Sequence, residues 1–194
     1  MKSWTSNRQT GFTVLETAVV ILIIGLVAAF ATPQINYAIK EYRLNAASSQ
    51  FMDAINKAKM QAISESNQAG IAVDINGRRM GVVTYKDDGV TVESIVFVPL
   101  PEGINFQRPT GVTAAPDGVT GSGVVSFPLT DGYYIQNFNT RGFPVVASGT
   151  DVVSMFFGNG KNYKAITISS VGGVRSYRLE NAKWVNTRSG TTTN

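Results

Sequence analysis

The residue types that most often carry chemistry are scarce in this chain. Its 194 residues include no cysteine and no histidine. This absence removes thiol nucleophiles, serine–histidine pairs, disulfides and the common zinc and copper ligand sets. We therefore expect that the protein is not an enzyme and that it holds no cofactor and no metal.

Two short motifs suggest chemistry, but both are more typical of turns. Gly158-Asn159-Gly160-Lys161 is similar to the end of a phosphate-binding loop, yet Met155 occupies the position of the first required glycine and no helical pattern follows. Asp87-Asp88 precedes a glycine between two β-rich stretches, as turn residues commonly do. Neither motif is predicted to be catalytic.

Basic side chains are concentrated in the C-terminal quarter. Residues 141–194 carry seven basic and two acidic side chains, whereas the net charge of the whole chain is +4. Aromatic residues lie between these charges, and such a combination can bind a phosphate backbone. The candidate contacts to double-stranded DNA are Arg175, Arg178, Lys183 and Lys164.

An alternative interpretation needs no nucleic acid. Arg175 and Arg178 are three residues apart, so in a regular strand they face opposite sides unless a bulge or a strand end aligns them. Basic strands also prevent edge-to-edge aggregation. They could equally face an acidic neighbouring subunit.

A long apolar run near the N-terminus contains one carboxylate. As a helix, Phe12 to Ala31 would span about 30 Å, the thickness of the hydrocarbon core of a bilayer. Basic residues precede the run, which predicts a cytoplasmic N-terminal end and an exported remainder. Glu16 lies inside the run, where a carboxylate costs about 2.5–3.5 kcal/mol at the bilayer centre and less near the interface.

Three interpretations compete for this run. A cleaved secretory signal would use Ala29-Phe30-Ala31 as its small-x-small site. A plain single-pass anchor would explain the length. Both leave Glu16 unexplained, except as a carboxylate at headgroup depth, whereas a membrane helix that supplies Glu16 with a charged partner accounts for it.

The stretch Gly11-Phe12-Thr13-Val14-Leu15-Glu16 resembles the processing site of type IV prepilins and type II secretion pseudopilins. In these proteins a short basic leader ends in glycine, and phenylalanine and then glutamate follow. The resemblance implies that the prepilin peptidase removes residues 1–11, cutting between Gly11 and Phe12, and that Phe12 becomes an N-methylated terminus. It also implies that Glu16 pairs with a terminal amine during assembly. Pro33 stands where the family carries a helix-loosening proline.

The pattern after the apolar run predicts a second helical segment. Proline disfavours helical geometry in the residue before it, so a kink or local melting is expected at Pro33. We predict a membrane helix over 12–36 and an amphipathic helix over 37–69, which Gly70 ends. The amphipathic segment carries an apolar stripe at helical spacing, suited to packing on a sheet. The stripe consists of Leu44, Ala47, Phe51, Ala54/Ile55, Ala58 and Ala62.

From residue 70 onward the pattern is that of β-structure. Apolar and polar residues alternate, and Asn76-Gly77 and Asn159-Gly160 are typical of hairpin turns. We predict a β-domain of about seven antiparallel strands over 70–187, hence an α+β fold in which the long helix packs on the sheet. Residues 188–194 are small and polar, and we expect them to be disordered.

The distal region resembles the GspH/FimT-like minor pilins and pseudopilins. The string Asn137-Phe138-Asn139-Thr140-Arg141-Gly142-Phe143-Pro144 and the two closing strands carry this resemblance. It implies the pilin fold and a structural or tip-initiating subunit of a type II secretion pseudopilus or type IV pilus, acting in protein secretion or pilus biogenesis. The helix would sit in the inner membrane with the β-domain in the periplasm, before the subunit joins a filament with other pilins.

The same resemblance supplies an alternative function. Some FimT-like minor pilins bind DNA during natural transformation through a Gly-Arg-x-Arg motif. The matching positions here are Gly172-Gly173-Val174-Arg175, so the first arginine is missing. A DNA-binding minor pilin for DNA uptake is therefore the second hypothesis.

Overall fold

The computed structural model describes residues 12–112, 115–118, 123–146 and 151–193. It has an α+β fold, with one α-helix and eleven strands among these residues. The chain divides into two compact units, Met1–Ile39 and Lys40–Asn194. The second unit contains all the strands.

Helix α1 covers Val14–Ser64. Its backbone is assigned as helical through Pro33, so the local melting expected there is absent from the described backbone, although the side chain of Pro33 lies outside the described residues. The helix ends before Ser66, whose φ of 50° is left-handed and cannot continue an α-helix. The prediction that Gly70 ends the helix is therefore wrong.

Gly70 instead allows two strands to approach closely. It lies in β1, opposite Asn137 of β6. A Cβ atom on Gly70 would lie 2.6 Å from Asn137 Oδ1 and 2.9 Å from the carbonyl oxygen of Gln136. Only glycine fits without displacing a neighbouring strand.

The strands form two antiparallel sheets, with the orders β3-β2-β1-β6-β5 and β11-β10-β9-β8-β7-β4. In chain order they are β1 Ala69–Asp74, β2 Arg79–Tyr85, β3 Val92–Pro99, β4 Asn105–Phe106, β5 Leu129–Thr130, β6 Tyr133–Phe138, β7 Val152–Gly158, β8 Tyr163–Ser169, β9 Val174–Glu180, β10 Lys183–Asn186 and β11 Thr192–Thr193. The expected count of about seven is too low because β4, β5 and β11 have two residues each, too few to show an alternating pattern.

The C-terminal segment also differs from expectation. Residues 188–194 were predicted to be disordered, but Thr192 and Thr193 pair with Val185 and Trp184 of β10. The backbone hydrogen bond from Asn186 to the carbonyl of Thr191, 2.9 Å long, closes the turn between these strands. This pairing makes β11 an edge strand of the six-stranded sheet.

The apolar stripe of α1 forms the centre of the main core, as its spacing predicts. Its residues from Leu44 to Ala62 contact buried residues from both sheets. Phe51 is 1% exposed and packs against Phe106 and Phe157, with ring centroids 5.6 Å and 5.0 Å away. Long-range packing of an amphipathic face, rather than helix propensity, thus fixes this half of α1.

A second core covers the other face of the six-stranded sheet. It contains Phe156, Tyr177 and Trp184, together with Ala165 and Ala115 from the connection before β5. Both faces of this sheet are therefore buried over much of their area. This arrangement decides which basic side chains in the C-terminal quarter reach solvent.

Candidate functional site

The first half of α1 is long and apolar enough to cross a membrane. None of its most apolar stretch is buried in the described structure. Phe12, Leu15 and Phe30 are each at least 75% exposed. An exposed apolar surface of this length on a helix is typical of a segment that lies in lipid or packs on other helices.

Glu16 makes reciprocal hydrogen bonds with Thr13 at the start of this helix. The backbone N–H and the hydroxyl of Thr13 donate to Glu16 Oε2 at 2.8 Å and 3.0 Å, and the Glu16 N–H donates to Thr13 Oγ1 at 3.2 Å. This arrangement is a capping box, which satisfies backbone donors that the first turn leaves unpaired. In an apolar medium such pairing reduces the cost of both the carboxylate and the backbone groups.

Only part of the predicted processing site lies among the residues that the structure describes. Gly11 and residues 1–10 lie outside the described residues. Phe12 lies immediately before the capping box and precedes the first helical residue, Val14. The predicted cleavage and methylation therefore remain predictions.

Arg175 projects from the face of β9 that carries the second core. Its Nη1 lies 3.1 Å from Asp117 Oδ1. The Tyr177 hydroxyl donates to the same oxygen at 2.6 Å, and the Thr167 hydroxyl donates to Asp117 Oδ2 at 2.8 Å. Burial, and then this bond to Asp117, raises the pKa of Tyr177 and keeps it a neutral donor. Asp117 adopts a left-handed φ of 56° within the short turn Pro116–Gly118.

Arg178 lies on the opposite face of β9. The pairing of β9 with β8 and with β10 runs without a register shift, so no bulge aligns Arg178 with Arg175. Arg178 Nε lies 2.6 Å from Glu180 Oε1. Ser176, on the same face, bonds to Ser48 of α1 at 3.1 Å, which identifies this face as the helix side. The two arginines proposed as a pair are therefore separated by the sheet.

Lys164 is a structural residue rather than a surface contact. Its side chain is on the helix side of β8, it is 7% exposed, and Nζ donates to Asn45 Oδ1 at 2.6 Å. Burial lowers the pKa of Lys164, and the nearby Glu41 opposes this shift. Lys183 is exposed and pairs with Glu180 in the β9–β10 ladder. The structure thus places Lys164 opposite Arg178 on the helix side of the sheet but Arg175 on the other face, so the four predicted DNA contacts do not form one group.

Arg188 is a residue that the sequence interpretation missed. It lines a polar cavity together with Arg175, although thirteen positions separate them in the chain. It lies within a segment predicted to be disordered, so no local pattern assigned it a neighbour. In the sequence, only the excess of basic residues in the C-terminal quarter pointed to Arg188 as a candidate binding residue.

The two turn-like motifs are turns in the structure. Asn159 Oδ1 accepts hydrogen bonds from the backbone N–H groups of Lys161 and Asn162, between β7 and β8. Asp88 Oδ1 accepts from the N–H groups of Val90 and Thr91. Among the described residues no group of His, Cys, Asp or Glu side chains is arranged to hold a metal ion.

Comparisons with known proteins give no relative from which to transfer a function. No protein-family model, curated protein or solved structure matches the chain. What is established is an α+β protein with one N-terminal helix able to span a membrane. Any more specific assignment depends on the residues themselves.

Proposed function

We propose that the protein is a minor pilin or pseudopilin, a subunit of a type IV pilus or type II secretion pseudopilus. One observation carries the proposal. An exposed apolar helix carries a single carboxylate, Glu16, in its first turn. The residues just before this helix, Gly11 and Phe12, resemble a prepilin processing site. In this role the subunit starts in the inner membrane, with its β-domain in the periplasm, and later joins a filament through its helix.

The chemistry of the helix terminus fits this role. Cleavage between Gly11 and Phe12 creates an amine at the membrane surface, and opposite charges attract strongly in a medium of low dielectric constant. The Glu16 carboxylate that Thr13 now holds would accept the amine of a neighbouring subunit. A charged contact in an otherwise uniform apolar surface fixes the axial register between helices, as single polar residues do in coiled coils.

The chain's lack of cysteine allows a direct test of assembly. A single cysteine replaces Ala18 in the full chain, which is expressed with its peptidase and its filament machinery. We expect oxidation to crosslink this chain to a neighbouring pilin that carries a cysteine at the matching position of its own helix. Mass spectrometry should show chains that begin at Phe12 and carry one added methyl group. Glu16→Val should reduce the crosslinked fraction about a hundredfold, since it leaves a buried amine unpaired.

Leu15→Val, an apolar change beside Glu16, serves as the matched control and should leave crosslinking intact. Chains that retain residues 1–11 would contradict the processing part of the proposal. Equal crosslinking in Glu16→Val and Leu15→Val would contradict the assembly part. DNA binding stays a hypothesis of lower rank, because Arg175 and Arg178 lie on opposite faces of β9.

A further inference from the structure

A polar cavity opens where β10 is shorter than its neighbour β9. The β9–β10 ladder covers Tyr177 to Glu180, but β9 begins at Val174. Beyond the ladder, Thr187 bonds to the carbonyl of Ser176 through its N–H, at 2.9 Å, and through its hydroxyl, at 2.8 Å. The chain then turns away, leaving a cavity of about 570 Å³ beside the first residues of β9.

Two arginines, Arg175 and Arg188, line this cavity. The hydroxyl residues Ser189 and Thr191 belong to the same wall. We call this cavity the arginine notch. Arginine offers several N–H donors in a planar fork, which matches the two oxygens of a carboxylate.

The charges in the notch are not balanced. Asp117, its one acidic residue, already accepts bonds from Thr167, Tyr177 and Arg175. Arg175 uses Nη1 for that contact and is 61% exposed at its side chain. The guanidinium of Arg188 has no hydrogen bond or ion pair with any described residue. The notch therefore carries a net charge of about +1, with two groups able to donate further bonds.

We propose that the arginine notch binds a single carboxylate group of a partner protein. One negative charge neutralises the site, whereas a nucleic-acid backbone needs a track of several cations. Two of the basic side chains that such a track would need, those of Arg178 and Lys164, lie on the helix side of the sheet. The proposed ligand of the basic C-terminal quarter is therefore a protein rather than a nucleic acid. This inference does not depend on filament assembly.

The test follows the nine arginines of the full chain by the NMR signals of their Nε–Hε groups, in neutral detergent micelles. Sodium acetate is titrated against sodium chloride of equal ionic strength. We expect saturable shifts of the Arg175 and Arg188 signals, and no saturable shift for Arg178. Arg188→Gln should weaken acetate binding at Arg175 about tenfold or more, since it removes charged hydrogen bonds.

Arg188 suits this test because no described residue depends on its guanidinium for support. Arg141→Gln, another exposed arginine, is the matched control and should leave the acetate response unchanged. Shifts at Arg175 and Arg188 that fail to saturate, or that match those at Arg178, would overturn the proposal. A short DNA duplex that shifts Arg178 together with Arg175 would overturn it in favour of a nucleic-acid surface.

Discussion

At the residue scale, Lys164 shows that a basic side chain in a charged segment can belong to the interior. It faces Asn45 and Glu41 of α1 and lies opposite Arg178 in the ladder. The hydrogen bond to Asn45 compensates part of the cost of burying the ammonium group. From the sequence alone, Lys164 and the exposed Lys183 were equal candidates for contact with DNA, and only burial distinguishes the two.

The lowered pKa of Lys164 predicts a pH dependence of stability. Below the ordinary value of 10.5 the unfolded chain holds the Lys164 proton more tightly than the folded chain does. The free energy of unfolding should therefore rise with pH as Lys164 loses its proton in the folded state, up to that value. Thermal unfolding followed by circular dichroism, compared between the wild type and Lys164→Met, isolates this slope. A stability difference that stays constant or reverses from about pH 8 to about pH 10 would contradict it.

At the element scale, the period of two in strand β9 separates two basic side chains, whereas the helical period in α1 gathers apolar side chains on one face. In β9 the period of two places Arg175 and Arg178 on opposite faces, and the sheet is covered on both sides. In α1 the stripe from Leu44 to Ala62 brings seven side chains to one face, six of them at most 1% exposed and Ala54 partly buried. The helix therefore depends on its stripe, whereas exposed positions beside the stripe contribute little.

Two substitutions in α1 test this dependence. Phe51→Ala should lower the free energy of unfolding by about 3–5 kcal/mol, because it opens a cavity between Phe106 and Phe157. Met60→Ala, at a position 71% exposed on the same helix, should change it by no more than about 0.5 kcal/mol. Denaturant titration in micelles, followed by circular dichroism, compares the two. Similar losses in both variants would show that the stripe does not anchor α1.

At the scale of the whole molecule, the two units have opposite surface character. Met1–Ile39 includes the exposed apolar helix, and Lys40–Asn194 has its own core built from α1 and both sheets. A unit with a complete core can fold without the other. The boundary between the two units falls within α1, between Ile39 and Lys40.

A truncated chain tests the independence of the second unit. Residues 40–194 alone should remain in aqueous solution without detergent and unfold cooperatively on heating, because they retain every buried residue of the main core. The full chain should sediment unless detergent covers its apolar helix. Centrifugation and circular dichroism of both chains provide the comparison. A fragment without a cooperative transition would show that the first unit is needed for folding.

The sequence by itself determined the features that depend on neighbours along the chain. The apolar run, the stripe of α1 and the Asn159-Gly160 turn all appear where local periodicity or turn chemistry indicates them. The prepilin-like processing and the non-enzymatic character are predictions from the same source, and they await experiment. Short strands such as β4 and β11 were not predicted, because two residues are too few to show an alternating pattern.

Only the tertiary structure decided which residues distant in the chain meet. It brings Asp117 to Arg175 across 58 positions, places Arg188 beside them and buries Lys164 against α1. It also assigns Gly70 to a close strand contact instead of a helix end. Each of these outcomes depends on strand pairing and on which face of a sheet is covered. Those choices are made by packing over the whole core, and no local window of sequence contains them.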